Sequence, residues 1–282
     1  MQSDSLQRFI ERHARLFVLT GAGCSTDSGI PDYRDAEGNW KRTARPVTLQ
    51  AFLADPTTRR GYWARSFLGW RYFGAARPND AHRALARLQQ AGRVERLVTQ
   101  NVDRLHQAAG SPAVIDLHGR LDQVCCIGCG RRSAREDLQR ELLARNPRWA
   151  ALAADRAPDG DAAPRAGSAA ELADASGFEI PDCSHCGGVL KPDVVFFGES
   201  VPPARVETAR RDLQRADAML VVGSSLMLYS GYRFAQHAAQ LRKPIAAVNL
   251  GRTRADALLS LKLSQRCAAA LAFLLEPQPR VA

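Results

Sequence analysis

Two cysteine doublets, Cys126-Ile127-Gly128-Cys129 and Cys183-Ser184-His185-Cys186, carry the most sharply defined chemistry in this sequence. Four thiolates at C-x-x-C spacing can close a tetrahedral shell around Zn²⁺ and leave no open position for a catalytic water. One doublet alone could be redox-active. Two in one chain favour a structural zinc ion held by Cys126, Cys129, Cys183 and Cys186. The doublets stand much further apart than the roughly 15–20 residues of a compact ribbon, so the zinc module must contain an insertion. Catalysis must then lie elsewhere.

A glycine loop, Gly21-Ala22-Gly23-Cys24-Ser25-Thr26-Asp27-Ser28-Gly29, follows directly on the apolar run 16–20. Glycines after a strand let the backbone turn tightly and approach a pyrophosphate, whose charge sits at the next helix N-terminus. Thr26 takes the third glycine position of G-x-G-x-x-G, so the loop alone is a weak signal. It continues into Ile30-Pro31-Asp32-Tyr33-Arg34, a polar segment that could cover a cofactor. Four more polar clusters each follow a predicted strand: Gln100-Asn101-Val102-Asp103, Asp116-Leu117-His118-Gly119, Gly223-Ser224-Ser225 and Asn249-Leu250-Gly251. Open α/β sheets bind ligands beyond the carboxyl ends of their strands, so these clusters converge on one crevice.

The elements that must position these groups are short apolar runs at 16–20, 97–99, 219–222 and 245–248, bounded by Gly, Pro, Asn or Ser. Each is too short for an independent helix and reads as a buried strand. Helical spacing lies between them at 82–91, 206–216 and 232–240. Strands alternating with helices predict an α/β fold, a mostly parallel sheet covered on both faces. Two segments break the rhythm. Residues 43–79 are rich in aromatics and arginine and predict a small helical module; residues 121–190 hold the zinc doublets. Between about 150 and 177 the chain is dominated by Ala, Asp, Gly and Pro, a flexible insertion with one short helix expected at 169–175.

At 282 residues, 45% hydrophobic and 24% charged, the chain fits a soluble globular protein with one large domain, or a large and a small one. No apolar run approaches the ~20 residues that span a bilayer, and the first 15 residues carry no signal-peptide core. Seven cysteines, four assigned to metal, fit a reducing compartment and leave Cys24, Cys125 and Cys267 as ordinary thiols. The formal charge of +10 comes mainly from arginines scattered along the chain, with no aromatic-interleaved basic stripe, so nucleic acid is not an expected partner.

Together these residues resemble the sirtuin family of NAD-dependent protein deacylases. The matching motifs are GAGCSTDSGIPDYR at 21–34, TQNVDRLH at 99–106, LHG at 117–119, both C-x-x-C pairs, KPDVVFFGE at 191–199, GSSL at 223–226 and VNLG at 248–251. They span nearly the whole chain. GYWARSFLGW at 61–70, APDGD at 157–161, LMLYSGYRF at 226–234 and SQRC at 264–267 look like the class II branch. The resemblance implies a Rossmann-like large domain (1–42, 80–120 and 191–282) and a small domain made of a helical module (43–79) and a zinc ribbon (121–190). It also implies NAD as co-substrate and acyl-lysine proteins or peptides as partners. The acyl oxygen would displace nicotinamide from the ribose, a ribose hydroxyl would then attack, and the acyl group would end on ADP-ribose. A cytoplasmic location is expected for a bacterial source.

The same resemblance distributes roles. His118 is the general base for a ribose hydroxyl, since imidazole titrates near neutral pH. Asn101 and Asp103 form the nicotinamide pocket; Gln100 and Asn249 bind ribose hydroxyls. Ser25, Ser224 and backbone amides near Gly21, Ala22 and Gly23 hold the pyrophosphate, with Asp32, Tyr33, Arg34, Gly223, Ser225, Gly251 and Cys267 also on the cofactor. Val194, Val195, Phe196, Phe197 and Gly198 would pair main chain to main chain with a substrate peptide. Cys24 stands where an aliphatic residue is usual, and Tyr33 where many relatives have Phe. His82, His106 and His237 read as helix or surface histidines.

Tyr62 and Arg65, at i and i+3 of a helix, share one face. In another sirtuin branch this pair recognises a carboxylate on the acyl chain, a role that suits the planar arginine fork. Carboxylate-bearing or branched acyl groups are therefore the expected substrates. The alternative activity is mono-ADP-ribosyl transfer to a protein, which shares the nicotinamide-cleavage step.

Overall fold

The computed structural model describes residues 2–41, 46–154 and 175–276. Among them are nine strands: β1 (Leu16–Thr20), β2 (Val94–Thr99), β3 (Val114–Asp116), β4 (Gly119–Cys126), β5 (Arg132–Ala134), β6 (Leu190–Val194), β7 (Ala218–Val222), β8 (Ile245–Val248) and β9 (Leu261–Leu263). Six form one sheet in the order β3-β2-β1-β7-β8-β9, with every pairing parallel. This is a Rossmann-like sheet, and its strand order reverses between β1 and β7, where such sheets open a ligand crevice.

Every residue of β1, β7 and β8 is buried. That explains their unbroken apolar sequences: a parallel sheet covered on both faces has no polar side to alternate with. One face packs Leu16, Val18, Leu220 and Val222 against Leu6, Leu85 and Leu271; the other packs Phe17, Leu19, Met219 and Val221 against Leu213, Phe234 and Ala238. Covering helices run over Asp80–Gln90, Pro203–Arg215 and Tyr229–Gln240, each starting two or three residues before its expected position. The first begins early because Asn79 caps it, accepting from the Ala81 N–H at 2.9 Å. β2 also begins earlier than its apolar run, since Val94 and Arg96 already pair with Leu16 and Phe17.

The second sheet is antiparallel, β5-β4-β6. β6 crosses the expected boundary at residue 191, because its partner is β4 of the zinc module. The aromatic segment forms helices Leu49–Ala54 and Pro56–Ala75. Asp55 starts the longer one by accepting from the Thr57 and Thr58 N–H groups at 2.8 and 3.0 Å, with Pro56 at its first position. Phe52, Trp63 and Phe67 share one core with Val124, Leu138, Leu142 and Phe196, so the helical and zinc modules are packed as a unit. Helices Arg135–Arg145 and Pro147–Ala154 lead into the insertion. The APDGD motif and the short helix expected at 169–175 lie outside the described residues, apart from Ala175.

Candidate active site and zinc site

The four doublet cysteines come together with their sulfurs all within 4.8 Å of one another. Cys126 Sγ lies 3.4 Å from Cys186 Sγ, and Cys129 Sγ lies 3.8 Å from Cys183 Sγ. A tetrahedron with ~2.3 Å zinc–sulfur bonds has an edge of about 3.8 Å, so the donor set fits the ion. These separations are far beyond a disulfide bond of about 2.05 Å. Each doublet turns back on itself: Gly130 N–H donates to Cys126 O at 2.9 Å, and Gly187 N–H to Cys183 O at 2.8 Å. A Cβ on Gly188 would fall 2.9 Å from Cys126 Sγ, so only glycine leaves room for the sulfur cradle. Cys125 points to the opposite face of β4 from Cys126, as strand alternation requires, and is not in the cluster.

The crevice gathers the residues beyond the carboxyl ends of β1, β2, β3, β7 and β8. Gly21 and Gly23 face Gly223 across the switch point: a Cβ on Gly21 would lie 2.8 Å from Ser224 Cβ, and one on Gly223, at φ +64°, 2.2 Å from Cys24 N. The glycines thus serve close approach of two backbones. Their amides, expected to be open to a pyrophosphate, donate instead to Val222 O at 3.1 Å and Gly223 O at 2.8 Å. Of the loop's first three residues, Ala22 is the one whose amide has no bond of this kind.

Ser25 is 1% exposed. Its hydroxyl donates to Asp103 Oδ2 at 2.7 Å and accepts from Asn101 Nδ2 at 3.0 Å, so the group expected on the pyrophosphate braces the pocket wall. Asn101 Nδ2 also reaches Gly21 O at 3.1 Å. Burial holds the Asp103 carboxyl above the usual range, against the opposing donations from Leu105 N–H and Ser25. Gln100 Oε1 accepts from Ser224 Oγ at 2.6 Å, and Asn249 Nδ2 donates to Gly251 O at 2.9 Å.

His118 closes the crevice on the β3 side. Its Nδ1 lies 2.9 Å from Gln100 O and its Nε2 2.9 Å from Ser230 Oγ. Burial lowers its pKa, the bond to Gln100 opposes this, and Arg205 adds to the lowering. The lowering favours the neutral imidazole, the form a base needs. Ser230 has no counterpart among the polar clusters read from sequence, because it falls at a helix start and not at a strand end.

The segment 30–41 folds over the β7–β8 side of the crevice. Asp32 pairs with Lys41, Arg34 Nη1 donates to Gly38 O at 2.6 Å, and the Arg34 guanidinium lies 4.4 Å from the Trp40 ring centre. Its tip touches the 249–252 turn, where Arg252 N–H donates to Ala36 O at 2.7 Å. Tyr33 is exposed and meets Trp40 edge-on. Ser225 O accepts from Arg254 N–H at 2.8 Å. Cys267 is buried at the start of a short helix, and burial pushes its thiol up to about 12.

Segment 194–198 runs beside His118: Val195 N–H donates to His118 O at 2.8 Å. Leu49 N–H donates to Phe197 O at 2.9 Å, and Gly198 O accepts from Gln50 Nε2 at 3.1 Å. Phe196 is also engaged, its N–H donating to Glu199 Oε2 at 2.9 Å and its carbonyl accepting from the Glu199 N–H at 3.0 Å, so main-chain groups all along the segment are paired within the protein. Lys191, 6% exposed, holds the turn by donating to Val194 O and to Glu199 Oε2 at 3.2 Å. Tyr62 lies against Phe196 with ring centres 5.1 Å apart, and Arg65 is one helical turn on and exposed.

Two histidines lie in helices, as read, and are fully buried there. His82 and His106 are 0% and 1% exposed, not surface residues. Their rings meet edge-on at 4.8 Å beneath Ser25, and burial lowers both pKa values. His106 Nε2 lies 2.8 Å from Thr20 Oγ1 at the end of β1, and His82 Nδ1 accepts from the Asn79 N–H at 3.3 Å, closing the capping box of its own helix. A helix face turned toward the crevice floor buries what its polarity would otherwise expose. His237 is half-buried on its helix, as read.

A protein-family model described as the Sir2 family matches residues 21–230. The chain is 64% identical over 275 residues to "NAD-dependent protein deacetylase 2" of Bradyrhizobium diazoefficiens, with 98% of each chain covered. It is 47% identical over 264 residues to "NAD-dependent protein lipoamidase sirtuin-4, mitochondrial" of Bos taurus, covering 93% of this chain and 82% of that one. A solved complex of Sir2 with a p53 peptide and NAD+ superimposes with a TM-score of 0.76 at 27% identity, covering 98% of both chains.

Proposed function

The chain belongs to the Sir2 family, the sirtuins, and from that membership we propose the reaction for which its crevice is built. The protein is an NAD-dependent protein deacetylase, an enzyme with NAD as co-substrate, acyl-lysine proteins or peptides as substrates and four cysteines that could bind a structural zinc ion. The observation that carries the site assignment is His118, an imidazole whose burial favours the neutral form, with Nδ1 on a carbonyl and Nε2 on the Ser230 hydroxyl. In this reading His118 takes the proton of a ribose hydroxyl. Asn101 and Asp103 wall the nicotinamide pocket, while Gln100, Ser224 and Asn249 face the sugar and phosphates. Val194, Val195, Phe196, Phe197 and Gly198 receive the peptide.

We further read the acyl preference as carboxylate-bearing or branched. Tyr62 packs at a tilt against Phe196 of segment 194–198, and Arg65 has no carboxylate partner among the described residues. The likeness to a sirtuin-4 supports placing the chain in the class II branch. Protein mono-ADP-ribosylation is not favoured, since the relatives are described as deacetylases and a lipoamidase. No helix of the described residues is long and apolar enough to cross a membrane, which agrees with our reading of a cytoplasmic enzyme.

Product analysis by mass spectrometry, with NAD and a panel of acyl-lysine peptides, tests this. Free lysine peptide plus acyl-ADP-ribose from the wild type, lost in His118→Tyr, is the expected result. Nicotinamide release with ADP-ribosylated protein and no deacylation would overturn it.

A further inference from the structure

The two contacts of the His118 ring fix more than its place. Gln100 O is a carbonyl and can only accept, so Nδ1 carries the proton. A neutral imidazole then offers a single in-plane lone pair, on Nε2, and the group 2.9 Å from it must be a donor. That donor is the hydroxyl of Ser230, the second residue of helix Tyr229–Gln240. Nothing in the polar clusters beyond the strand ends calls for a hydroxyl here.

The same turn of helix sets the other contact. A Cβ on Gly231 would lie 2.6 Å from Gln100 Nε2, so the Ser230-Gly231 turn is pressed onto Gln100, whose carbonyl holds Nδ1. The helix start thus contacts Gln100 at its side-chain amide, while the Gln100 backbone carbonyl holds Nδ1. The charge that acts on the ring is Arg205, from helix Pro203–Arg215. Other charged groups on the surrounding elements are engaged elsewhere: Asp103 with Ser25, Asp116 with Arg104, Arg120 with Asp122, Asp193 with Arg132, Arg233 over the Tyr229 ring and Arg254 over the Tyr232 ring.

We propose that Ser230 is a positioning residue for His118: its hydroxyl, donating to Nε2, holds the ring in the orientation and tautomer that Gln100 sets, and favours the neutral ring. The inference rests on His118 being the base of the deacylation. Donation to Nε2 is possible only while the ring is neutral, so Ser230 lowers the pH at which the base becomes available. When a ribose hydroxyl arrives it takes over the same lone pair, and rotation about one serine side-chain bond clears the position.

The test is the pH profile of kcat/KM for Ser230→Ala and Ser230→Thr beside the wild type, with nicotinamide release measured in parallel. Loss of the hydroxyl is expected to move the acid limb upward by roughly half to one pH unit, the worth of one neutral hydrogen bond. Deacylation at pH 7 is expected to fall by roughly three- to tenfold, and the limb should return in Ser230→Thr, which keeps the donor. Nicotinamide release, which precedes the base-dependent step, is expected to stay within about twofold of wild type. An unmoved limb in Ser230→Ala, or the same displaced limb in Ser230→Thr, overturns the proposal. His118→Tyr that still deacylates would instead remove the reading beneath it.

Discussion

The Ser25 hydroxyl donates to Asp103 across 2.7 Å while burial holds that carboxyl above the usual range. The pocket therefore keeps a costly anion on a neutral donor. A carboxyl raised in the folded state takes up its proton before the unfolded chain does. Its stabilising effect is full below the unfolded value of 3.8 and fades as pH rises through the higher folded value. Wild type should thus gain stability relative to Asp103→Asn when the pH drops from 7 to about 4. Paired thermal melts at the two pH values measure it; a gap that stays constant would mean that Asp103 is not perturbed.

Zinc loss should be separable from thiol chemistry in general. Cys183→Ser removes one of four ligands and is expected to abolish stoichiometric zinc and lower the melting temperature of the whole core shared with Trp63 and Phe67. Cys125→Ser should retain one zinc ion per chain, because that thiol faces away from the cluster. Metal content by atomic emission decides both. Equal loss in the two variants would contradict the assignment.

Two glycines with positive φ form a matched pair. Gly119 (φ +84°) follows His118, and a Cβ there would lie 2.1 Å from Asp193 O; Gly92 (φ +72°) has nothing within 4 Å. Gly92→Ala should cost about 1 kcal/mol of stability, the backbone term alone. Gly119→Ala must also push β4 from β6 and should cost upward of about 3 kcal/mol and displace His118. Denaturant titration of the two proteins gives the comparison directly.

Lys191 and Glu199 form a nearly closed pair beneath the peptide segment, with Glu199 Oε2 also accepting from the Phe196 N–H at 2.9 Å and the ammonium 4.7 Å from the Phe196 ring centre. Removing one partner strands the other, so Lys191→Met should cost roughly 3–5 kcal/mol. Adding Glu199→Gln should recover part of this, giving a double-mutant cycle with a clear coupling energy. Additive losses would show that the pair does not act as a unit.

Arg65→Met is expected to reduce turnover of carboxylate-bearing acyl-lysines by about tenfold or more while changing acetyl-lysine turnover far less, since a charge-assisted bidentate contact serves only the former. Competition assays with mixed peptides report the ratio. An unchanged ratio would refute the acyl preference.

Much of the crevice is legible in the sequence because strand ends carry their chemistry in contiguous letters: residues 21–29, 100–103, 116–119, 223–225 and 249–251 each follow an apolar run that the fold turns into a strand, half-buried in β3 and buried in β1, β7 and β8. The zinc ligands are legible for the same reason. What sequence reading misses depends on contacts between distant segments. The burial of His82 and His106 follows from a helix face turned toward β1, and the engagement of the Gly21 and Gly23 amides follows from the opposite turn at Gly223. Ser230 reaches His118 from a helix start that carries no side-chain cap, so no local signal marks it.

The strand order has a consequence for synthesis. Leu16 pairs with Val94 on one side and with Ala218 on the other. A ribosome delivers β1 and β2 early and β7 only after the helical and zinc modules have emerged. Until then β1 presents an open, largely apolar edge, and the crevice at Gly21 and Gly23 has only one wall. Such an edge is a template for pairing with other chains. The interval between translation of Thr99 and of Val222 is therefore when this protein is most exposed to misassembly, and a chaperone that shields β1 would act in that interval.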